Sequence, residues 1–426
     1  MSDIRVLHFL PYLDRESLAS KFVEEILQGG ESSCSFCILT TSKGYAATQW
    51  HGVKVFKMKT SCLSFNSHRR FLKIIEESKA DIVHIHGIWN RHSEAVCRWA
   101  HECERAVVLS TYKGTMPWHL PANPLAPRFM RFLFTKRHML RNAAAIHAVT
   151  LQEMKAIKKM QTFPLSHTPI SNRVETVEYS VNDAEGRADF REVLLKMERL
   201  YRKVVDSNAF SLMSEADHVL ENNLVALGAA LYAGIGEKDI FLPVGEMKEM
   251  VKCIEAENWR RIQIHSSDQD VLPYVRKAYK FLGGMYDDID IDRIERYRFL
   301  REKSYLDTSQ PQIHRARMHQ VSEDYERNET EQRLCIMLLN AKFLFDKGKL
   351  SRRNLADLYL SFRYETYDEY VLESMLDDLG IKHFTARILS VLEKTLLLDE
   401  GYIPIETIND RTTRRINRKL YKSDVQ

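Results

Sequence analysis

The sequence predicts an α/β protein, with a doubly wound parallel sheet in the N-terminal part and a mainly helical C-terminal half. Over roughly the first 170 residues, strand-like apolar segments alternate with amphipathic helical segments. Several of the strand-like segments are apolar throughout, as expected when helices cover both faces of a sheet. After about residue 190 the apolar spacing is mostly helical. These observations together predict the two-part architecture.

The N-terminal segments follow one another as βαβ units require. Thr150 stands immediately before a helical pattern and is a suitable N-cap. Strands joined by helices of ten or more residues pair in parallel. The predicted strands are 4–11, 34–41, 53–60, 81–87, 106–114 and 145–150, and the predicted helices are 16–28, 68–80, 92–104, 127–143 and one beginning at 151.

The rest of the chain divides into two further regions that differ in predicted secondary structure. Residues 179–330 read as a mixed, mainly helical region, with strand candidates at 238–243 and 260–265. Residues 331–426 read as a helical C-terminal domain. The predicted organisation is therefore a Rossmann-type domain over 1–178 followed by these two regions.

Composition limits the classes of function. The net charge is only +4 over 426 residues, so we expect no nucleic-acid partner. Seven cysteines in a long chain fit a reducing cytoplasm. The start of the chain reads as a strand, and no apolar run approaches the length of a membrane span. We expect a cytoplasmic protein whose membrane contact, through the basic pattern at 128–141 or the basic tail from Arg411, would be peripheral at the inner face. Solvated charge is the simpler interpretation of both basic segments.

Three predicted strand ends carry residues suited to ligand binding. In a doubly wound sheet, ligands bind beyond the carboxyl ends of the strands. Glycine permits close approach to the backbone, tryptophan offers a face for a sugar ring, and lysine and histidine donate to hydroxyls or phosphates. The candidates are Tyr12 after the first strand, His86, Gly87 and Trp89 at the end of the strand at 81–87, and Lys113 and Gly114 at the end of the strand at 106–114.

Simpler structural roles compete with each of these assignments. His84 points to the same side of its strand as His86 and is interpreted as a residue of the sheet, bonded to a neighbour. For His86 two interpretations stay open, a site residue and a structural residue. For Trp89 two roles stay open, packing in the core and contact with a bound ligand.

Four segments resemble the N-terminal domain of family 4 glycosyltransferases of the GT-B fold. "DIVHIHGIWN" (81–90) is similar to that family's "DIVHxHGxW" signature, and "STYKGTMPWHL" (110–120) to "SxHGMxxPWxL". "TKRHMLRNAAAIHAVTLQEMKAI" (135–157) and "TPISNRVE" (168–175) are similar to two later segments of the family. The resemblance covers about residues 3–178.

The resemblance implies a GT-B-like fold and a metal-independent hexosyltransferase that needs no cofactor. A nucleotide sugar would be the donor and a lipid-linked or oligosaccharide acceptor would receive the hexose, in bacterial capsule or lipopolysaccharide synthesis. His86 and Lys113 would then be the catalytic candidates. The implied substrate-binding residues are Tyr12, Gly87, Trp89, Gly114, Trp118 and Arg137.

The sequence also departs from the family pattern. The loop after the first strand, "PYLDRESL", lacks the usual glycine pair, Lys113 replaces a histidine, and Arg173 replaces a glycine. The glutamate pair and the strand–helix alternation of a nucleotide-sugar domain are not recognisable in the sequence after residue 190. These departures support an alternative: a non-catalytic accessory protein that binds a sugar or a protein partner, the latter through its helical half.

Overall fold

A computed structural model describes residues 4–14, 17–41, 49–58, 65–114, 116, 137–159, 173–178, 190–297, 319, 323 and 328–421. The chain packs as two compact units. Unit 1 comprises Met1–Leu212 and Ile294–Arg298, and unit 2 comprises Met213–Arg293 and Phe299–Gln426. Whether the chain has independent folding boundaries near 178 and 330 stays a prediction.

Unit 1 is built on an eight-stranded sheet. Its strands lie in the order β3-β4-β2-β1-β5-β6-β7-β8. Only the β3–β4 pair is antiparallel. The strands are β1 (Ile4–Leu10), β2 (Cys34–Thr40), β3 (Gln49–Trp50), β4 (Val53–Lys57), β5 (Ile82–His86), β6 (Ala106–Ser110), β7 (Ala145–Ala148) and β8 (Val174–Thr176).

Helices connect most of these strands, and the predicted α/β fold class is confirmed. β5, β6 and β7 are buried along their whole length, as the continuous apolar pattern predicts. Of the helix predicted at 127–143, the described part is Arg137–Asn142. The helices of unit 1 are α1 (Leu18–Gln28), α2 (Phe65–Ser78), α3 (Arg91–Glu102), α4 (Arg137–Asn142), α5 (Leu151–Lys159), α6 (Phe190–Ser207) and α7 (Ala209–Leu212).

The strand order reverses between β1 and β5. From β1 the chain builds outward through β2 and β4, then returns to add β5 on the other side of β1. Loops leave the carboxyl ends of two such neighbouring strands in opposite directions, which opens a crevice between them. The ends of β1 and β5 therefore form the expected binding edge of the sheet.

The regular elements described in unit 2 are all helices. Both strand candidates were wrong: 260–265 lies inside a helix, and 238–243 is a short 3-10 turn followed by coil. The helices are α8 (Glu215–Tyr232), α9 (Val244–Cys253), α10 (Ala256–Asp268), α11 (Leu272–Phe281), α12 (Glu329–Asp346), α13 (Arg352–Tyr364), α14 (Glu369–Asp378), α15 (Lys382–Leu396) and α16 (Arg411–Tyr421). Among the helices described in either unit, none is both long and apolar enough to cross a bilayer.

Helix α8 is the central element of unit 2. Eleven of its residues are buried, so it is surrounded by other helices rather than lying on the surface. Gly228 allows α11 to approach closely, because a Cβ there would lie 2.0 Å from the carbonyl oxygen of Tyr274. The core of unit 2 is therefore arranged around α8.

A buried ionic cluster also ties α8 to α10 and α13. The Glu221 carboxylate lies 2.7 Å from Nη1 of Arg352 and 2.8 Å from Nδ1 of His265, and it accepts a 2.6 Å hydrogen bond from Ser266 Oγ. Desolvation alone would raise the pKa of Glu221. The nearby Arg352 and His265 outweigh it, so the pKa lies well below its usual value. The carboxylate is thus held ionised inside the core.

We expect Glu221→Gln to lower the free energy of unfolding of unit 2 by about 3–5 kcal/mol, because it leaves the Arg352 charge buried without its counter-charge. Adding Arg352→Met should recover part of this loss. Hydrogen exchange of α8 peptides in increasing denaturant measures both effects.

The matched control is the exposed pair formed by Lys342 and Asp346, 3.1 Å apart on α12. Lys342→Met and Asp346→Asn should each cost less than about 1 kcal/mol. Equal costs at the buried and exposed pairs would contradict this assignment.

Candidate functional site

The candidate site lies where β1, β5 and β6 end. The segments involved are the loop after β1, residues 87–90 after β5, and the turn 111–114 after β6. We call this set the rim. The predicted residues Tyr12, Gly87, Trp89, Lys113 and Gly114 all belong to it. Trp118 and the side chain of Arg137 lie outside the described residues.

Gly87 ends β5 in a conformation that favours glycine. Its φ is +89°, and its amide donates a 2.8 Å hydrogen bond to the carbonyl of Ser110. A Cβ at this position would meet no atom within 4 Å. The backbone geometry, rather than crowding, therefore explains this glycine.

Trp89 joins the loop after β5 to the turn after β6. Its half-buried ring packs against the core of the sheet, and its Nε1 donates a 2.9 Å hydrogen bond to the carbonyl of Gly114. A Cβ on Gly114 would lie 3.0 Å from that nitrogen and 2.8 Å from the carbonyl oxygen of Thr111. The glycine is thus needed for close approach. Whether the Trp89 ring also receives a sugar stays a prediction.

The turn after β6 holds two consecutive residues in left-handed backbone conformations. Tyr112 has φ +45° and Lys113 has φ +62°. Such conformations are unfavourable for residues with a Cβ and occur preferentially at functional sites. The Lys113 side chain is exposed, and Tyr12, near the start of the loop after β1, is 65% exposed. These two side chains are available to a ligand at the rim.

Glu153 anchors this strained turn from below. Its fully buried carboxylate accepts hydrogen bonds from Thr111 Oγ1 and from the amide of Val149, the latter at 3.0 Å. Desolvation raises the pKa of Glu153, while its hydrogen bonds and the nearby Lys113 charge act in the opposite direction. Thr150 caps α5 as predicted, accepting from the Glu153 amide at 3.1 Å.

His86 lies beneath the rim and is 2% exposed. Its Nδ1 is 2.7 Å from the Tyr112 hydroxyl, and its Nε2 is 2.9 Å from Nδ1 of His8. The imidazole therefore contacts a rim residue, Tyr112, from the core side. Any catalytic role of His86 would be exerted from this buried position. Burial, then the neighbouring His8 and His147, lower the pKa of His86 well below its ordinary value.

His84 belongs to a second chain of hydrogen bonds across the sheet. Its Nδ1 is 2.7 Å from the Tyr201 hydroxyl of α6, and its Nε2 is 2.7 Å from Oγ of Ser110. Ser110 Oγ lies 2.7 Å from Nδ1 of His147, whose Nε2 is 3.1 Å from the carbonyl of Val177. His84 is bonded within the sheet, in agreement with its structural interpretation.

The partners in this series of hydrogen bonds determine which atom donates each proton. Burial lowers the pKa of His147 to about 4 despite the Val177 carbonyl, and that of His84 well below its ordinary value, so both rings are neutral near pH 7. A carbonyl oxygen can only accept, so His147 donates from Nε2 and accepts at Nδ1. Ser110 therefore donates to His147 and accepts from Nε2 of His84. Nδ1 of His84 then accepts from Tyr201, whose phenol pKa is raised by burial.

Three of these imidazoles meet the spacing of a metal site. Ligand nitrogens of His8, His84 and His86 lie within 4.8 Å of one another. Five of the six ring nitrogens are engaged in the hydrogen bonds above, and the rings of His84 and His86 stack with centroids 4.2 Å apart. A metal would have to replace bonds that already satisfy these nitrogens. The arrangement favours a hydrogen-bonded core.

Two other sequence features do not belong to the rim. Cys34 and Cys37 are free thiols on β2. In the acidic stretch 287–292 of unit 2, Asp288 lies 2.7 Å from Lys280 and 3.4 Å from Arg276. Ion pairing accounts for the acidic residue Asp288.

We expect unit 1 to lose stability as the pH falls from about 6.5 toward 4. Burial lowers the pKa of His8 to about 3, so the unfolded chain takes up protons that the folded sheet excludes. Each such imidazole contributes a slope of about 1.4 kcal/mol per pH unit in this range, and its destabilising effect vanishes above about pH 6.5. His8→Phe should reduce the slope by about one proton, as measured by urea unfolding at several pH values.

Leu7→Ala is the matched control. Leu7 is fully buried in the same strand, so its truncation should cost about 2–5 kcal/mol without removing a titrating group. Its pH slope should equal that of the parent protein. A His8→Phe slope parallel to the parent would refute the contribution of this imidazole.

The comparison with known families agrees with the predicted α/β sheet. Residues 34–172, about one third of the chain, match the family model described as "Glycosyl transferase 4-like domain". No curated protein and no solved structure matched the chain. The matched segment contains β2 to β7 and the predicted rim residues after β5 and β6. Residues 34–172 therefore carry a glycosyl transferase 4-like domain, and this match supports a glycosyltransferase-type function.

Proposed function

We propose that the protein transfers a hexose from a nucleotide sugar to a lipid-linked or oligosaccharide acceptor in bacterial surface polysaccharide synthesis. The observation that carries the proposal is the match to a glycosyl transferase 4-like domain whose rim lies at the switch in strand order. The protein would work in the cytoplasm, at the inner face of the membrane where a lipid-linked acceptor is found.

Lys113 is the residue best suited to contact substrate. Its ammonium group is exposed at the rim, while the turn that carries it is bonded to Glu153 through Thr111. A cation held on a fixed turn would stabilise negative charge on a departing diphosphate, or donate to a sugar hydroxyl. This chemistry needs no metal.

His86 would act through Tyr112 rather than by touching the sugar. It is 2% exposed, and its Nδ1 bonds the Tyr112 hydroxyl at 2.7 Å. Fixing that hydroxyl would orient the strained turn and, with it, Lys113. The proposed role of His86 is therefore positioning.

A second candidate function is a non-catalytic accessory protein that binds a saccharide at the same rim. It is favoured by one observation: the regular elements described in unit 2, within 213–293, 319, 323 and 328–421, are helices and include no strand. In the resembled family a second α/β domain binds the nucleotide sugar. In this chain helices follow the first domain instead. The helices of unit 2 would then serve as a surface for a protein partner.

We expect Lys113→Ala to weaken binding of the preferred ligand by about tenfold or more, because a charge-assisted hydrogen bond is lost. A thermal-shift and calorimetric panel of UDP-, GDP- and CMP-sugars, together with free oligosaccharides, measures this. Binding of none of these ligands would refute both candidate functions. Nucleotide-sugar binding with product formation supports the transferase, and saccharide binding alone supports the accessory protein.

Lys79→Ala provides the control. Lys79 is also exposed and left-handed, at φ +49°, but it precedes β5 at the opposite edge of the sheet. Because both lysines have left-handed backbones, replacing either of them by glycine should raise the free energy of unfolding by a similar small amount, about 0.5–1 kcal/mol. Only the change at Lys113 should weaken binding. Equal weakening by Lys79→Ala would contradict the location of the site.

A further inference from the structure

The last described helix, α16, carries the excess positive charge of the whole chain. It contains Arg411, Arg414, Arg415, Arg418 and Lys419 and no acidic residue. The chain has a net charge of +4, so removing these five charges leaves −1 for all the other residues. Without this helix the chain has no net positive charge.

The arginines lie on one face of α16. Positions 411, 414, 415 and 418 follow the i, i+3, i+4, i+7 spacing of a single helix face, and all four side chains are exposed. The opposite face is anchored in the core of unit 2 through Ile416 and Leu420, both fully buried. We call the four-residue set the arginine face.

Nearby acidic charge is already engaged elsewhere. Asp410 caps α16 by accepting from the amides of Thr412 and Thr413 at 2.8 and 2.9 Å. Its other oxygen receives two hydrogen bonds from Arg387, at 2.7 and 3.0 Å, which hold the pKa of Asp410 well below its ordinary value. Among the side chains that the structure describes, no carboxylate forms a salt bridge with the arginine face.

We propose that the arginine face binds the phosphate headgroups of an anionic phospholipid membrane. Guanidinium groups bind phosphate oxygens in a bidentate manner, and four of them here lie along about 10 Å of one helix face. Since Ile416 and Leu420 are committed to the core, the helix has no apolar face to insert into the bilayer. Binding is therefore electrostatic, reversible and sensitive to salt.

The observations favour a membrane over a nucleic acid. The arginine face is carried by one short helix whose opposite face is committed to the core of unit 2, so it can meet a flat layer of headgroups without a groove. A membrane surface also agrees with the lipid-linked acceptor of the proposed function, and the inference rests on that function only in this respect.

The test is co-sedimentation of the full chain with vesicles of phosphatidylcholine containing about 30 mol% phosphatidylglycerol, compared with phosphatidylcholine alone. We expect binding only to the anionic vesicles, and its loss when NaCl rises from about 0.05 M to about 0.5 M. Each arginine replaced by glutamine should weaken partitioning by about fivefold, and the four-residue variant by roughly several hundred-fold.

The matched control replaces four exposed lysines of unit 2, Lys238, Lys248, Lys347 and Lys394, by glutamine. This variant undergoes the same change in net charge but retains the arginine face, so it should bind vesicles much more strongly than the arginine variant. Equal weakening of the two variants, or equal binding to neutral vesicles, would overturn the proposal. Arginine-dependent binding of an oligonucleotide in place of the vesicles would also overturn it.

Folding and the proposed function are separated by two further measurements. Unchanged thermal unfolding of the arginine variant shows that lost vesicle binding is not lost folding, because the replaced side chains are exposed. The vesicles contain no saccharide, so failure of this assay leaves the sugar panel unaffected. Conversely, a negative sugar panel leaves vesicle binding to be judged on its own result.

Discussion

The first unit depends on satisfying buried imidazoles on one face of a parallel sheet. His8 pairs directly with His84 across β1 and β5, and Ser110 pairs with His86 and with His147 across the next strands. In-register partners point to the same face, so the pairing itself brings these polar rings together. Each ring must then find partners without water, since an unsatisfied buried polar group costs about 1–3 kcal/mol.

This requirement explains why α6 belongs to the first unit. Tyr201 lies 117 residues beyond His84 in sequence, yet its hydroxyl supplies the hydrogen bond that His84 needs. The same requirement links the core to the rim, because the His86 ring spans from His8 in the sheet to Tyr112 in the turn. The rim is consequently supported from within the sheet and, through Glu153, from α5.

Much of unit 1 could be predicted from local patterns, because each strand and helix carries its own periodicity. The positions of Gly87, Lys113 and Gly114 at strand ends followed from the topology of parallel sheets. His8, His147, Tyr201 and Glu153 were missed as parts of the site. Their roles depend on strand register and on partners distant in sequence, which no local pattern contains.

The error at 260–265 has a different physical cause. Ile262 and Ile264 are spaced as in a strand, but all six residues from Arg261 to Ser266 are buried within α10. A helix covered on most sides loses the one-sided periodicity that identifies a surface helix. The buried Glu221 and Arg352 raise the same difficulty, because charged residues ordinarily indicate a solvent-exposed face. Tertiary contacts, not local pattern, determine this part of unit 2.

The helical second unit bears directly on how glycosyl transfer would proceed. Transfer requires a donor and an acceptor held in line, and the rim presents groups from a single sheet edge. Lys113 and Tyr12 expose one ammonium and one phenol there, which is enough chemistry to orient one saccharide or to neutralise one diphosphate. The complementary groups must come from elsewhere. An active transferase would have to supply them from other parts of this chain, whereas an accessory protein would obtain them from a partner enzyme, and the ligand that the rim selects distinguishes these two arrangements.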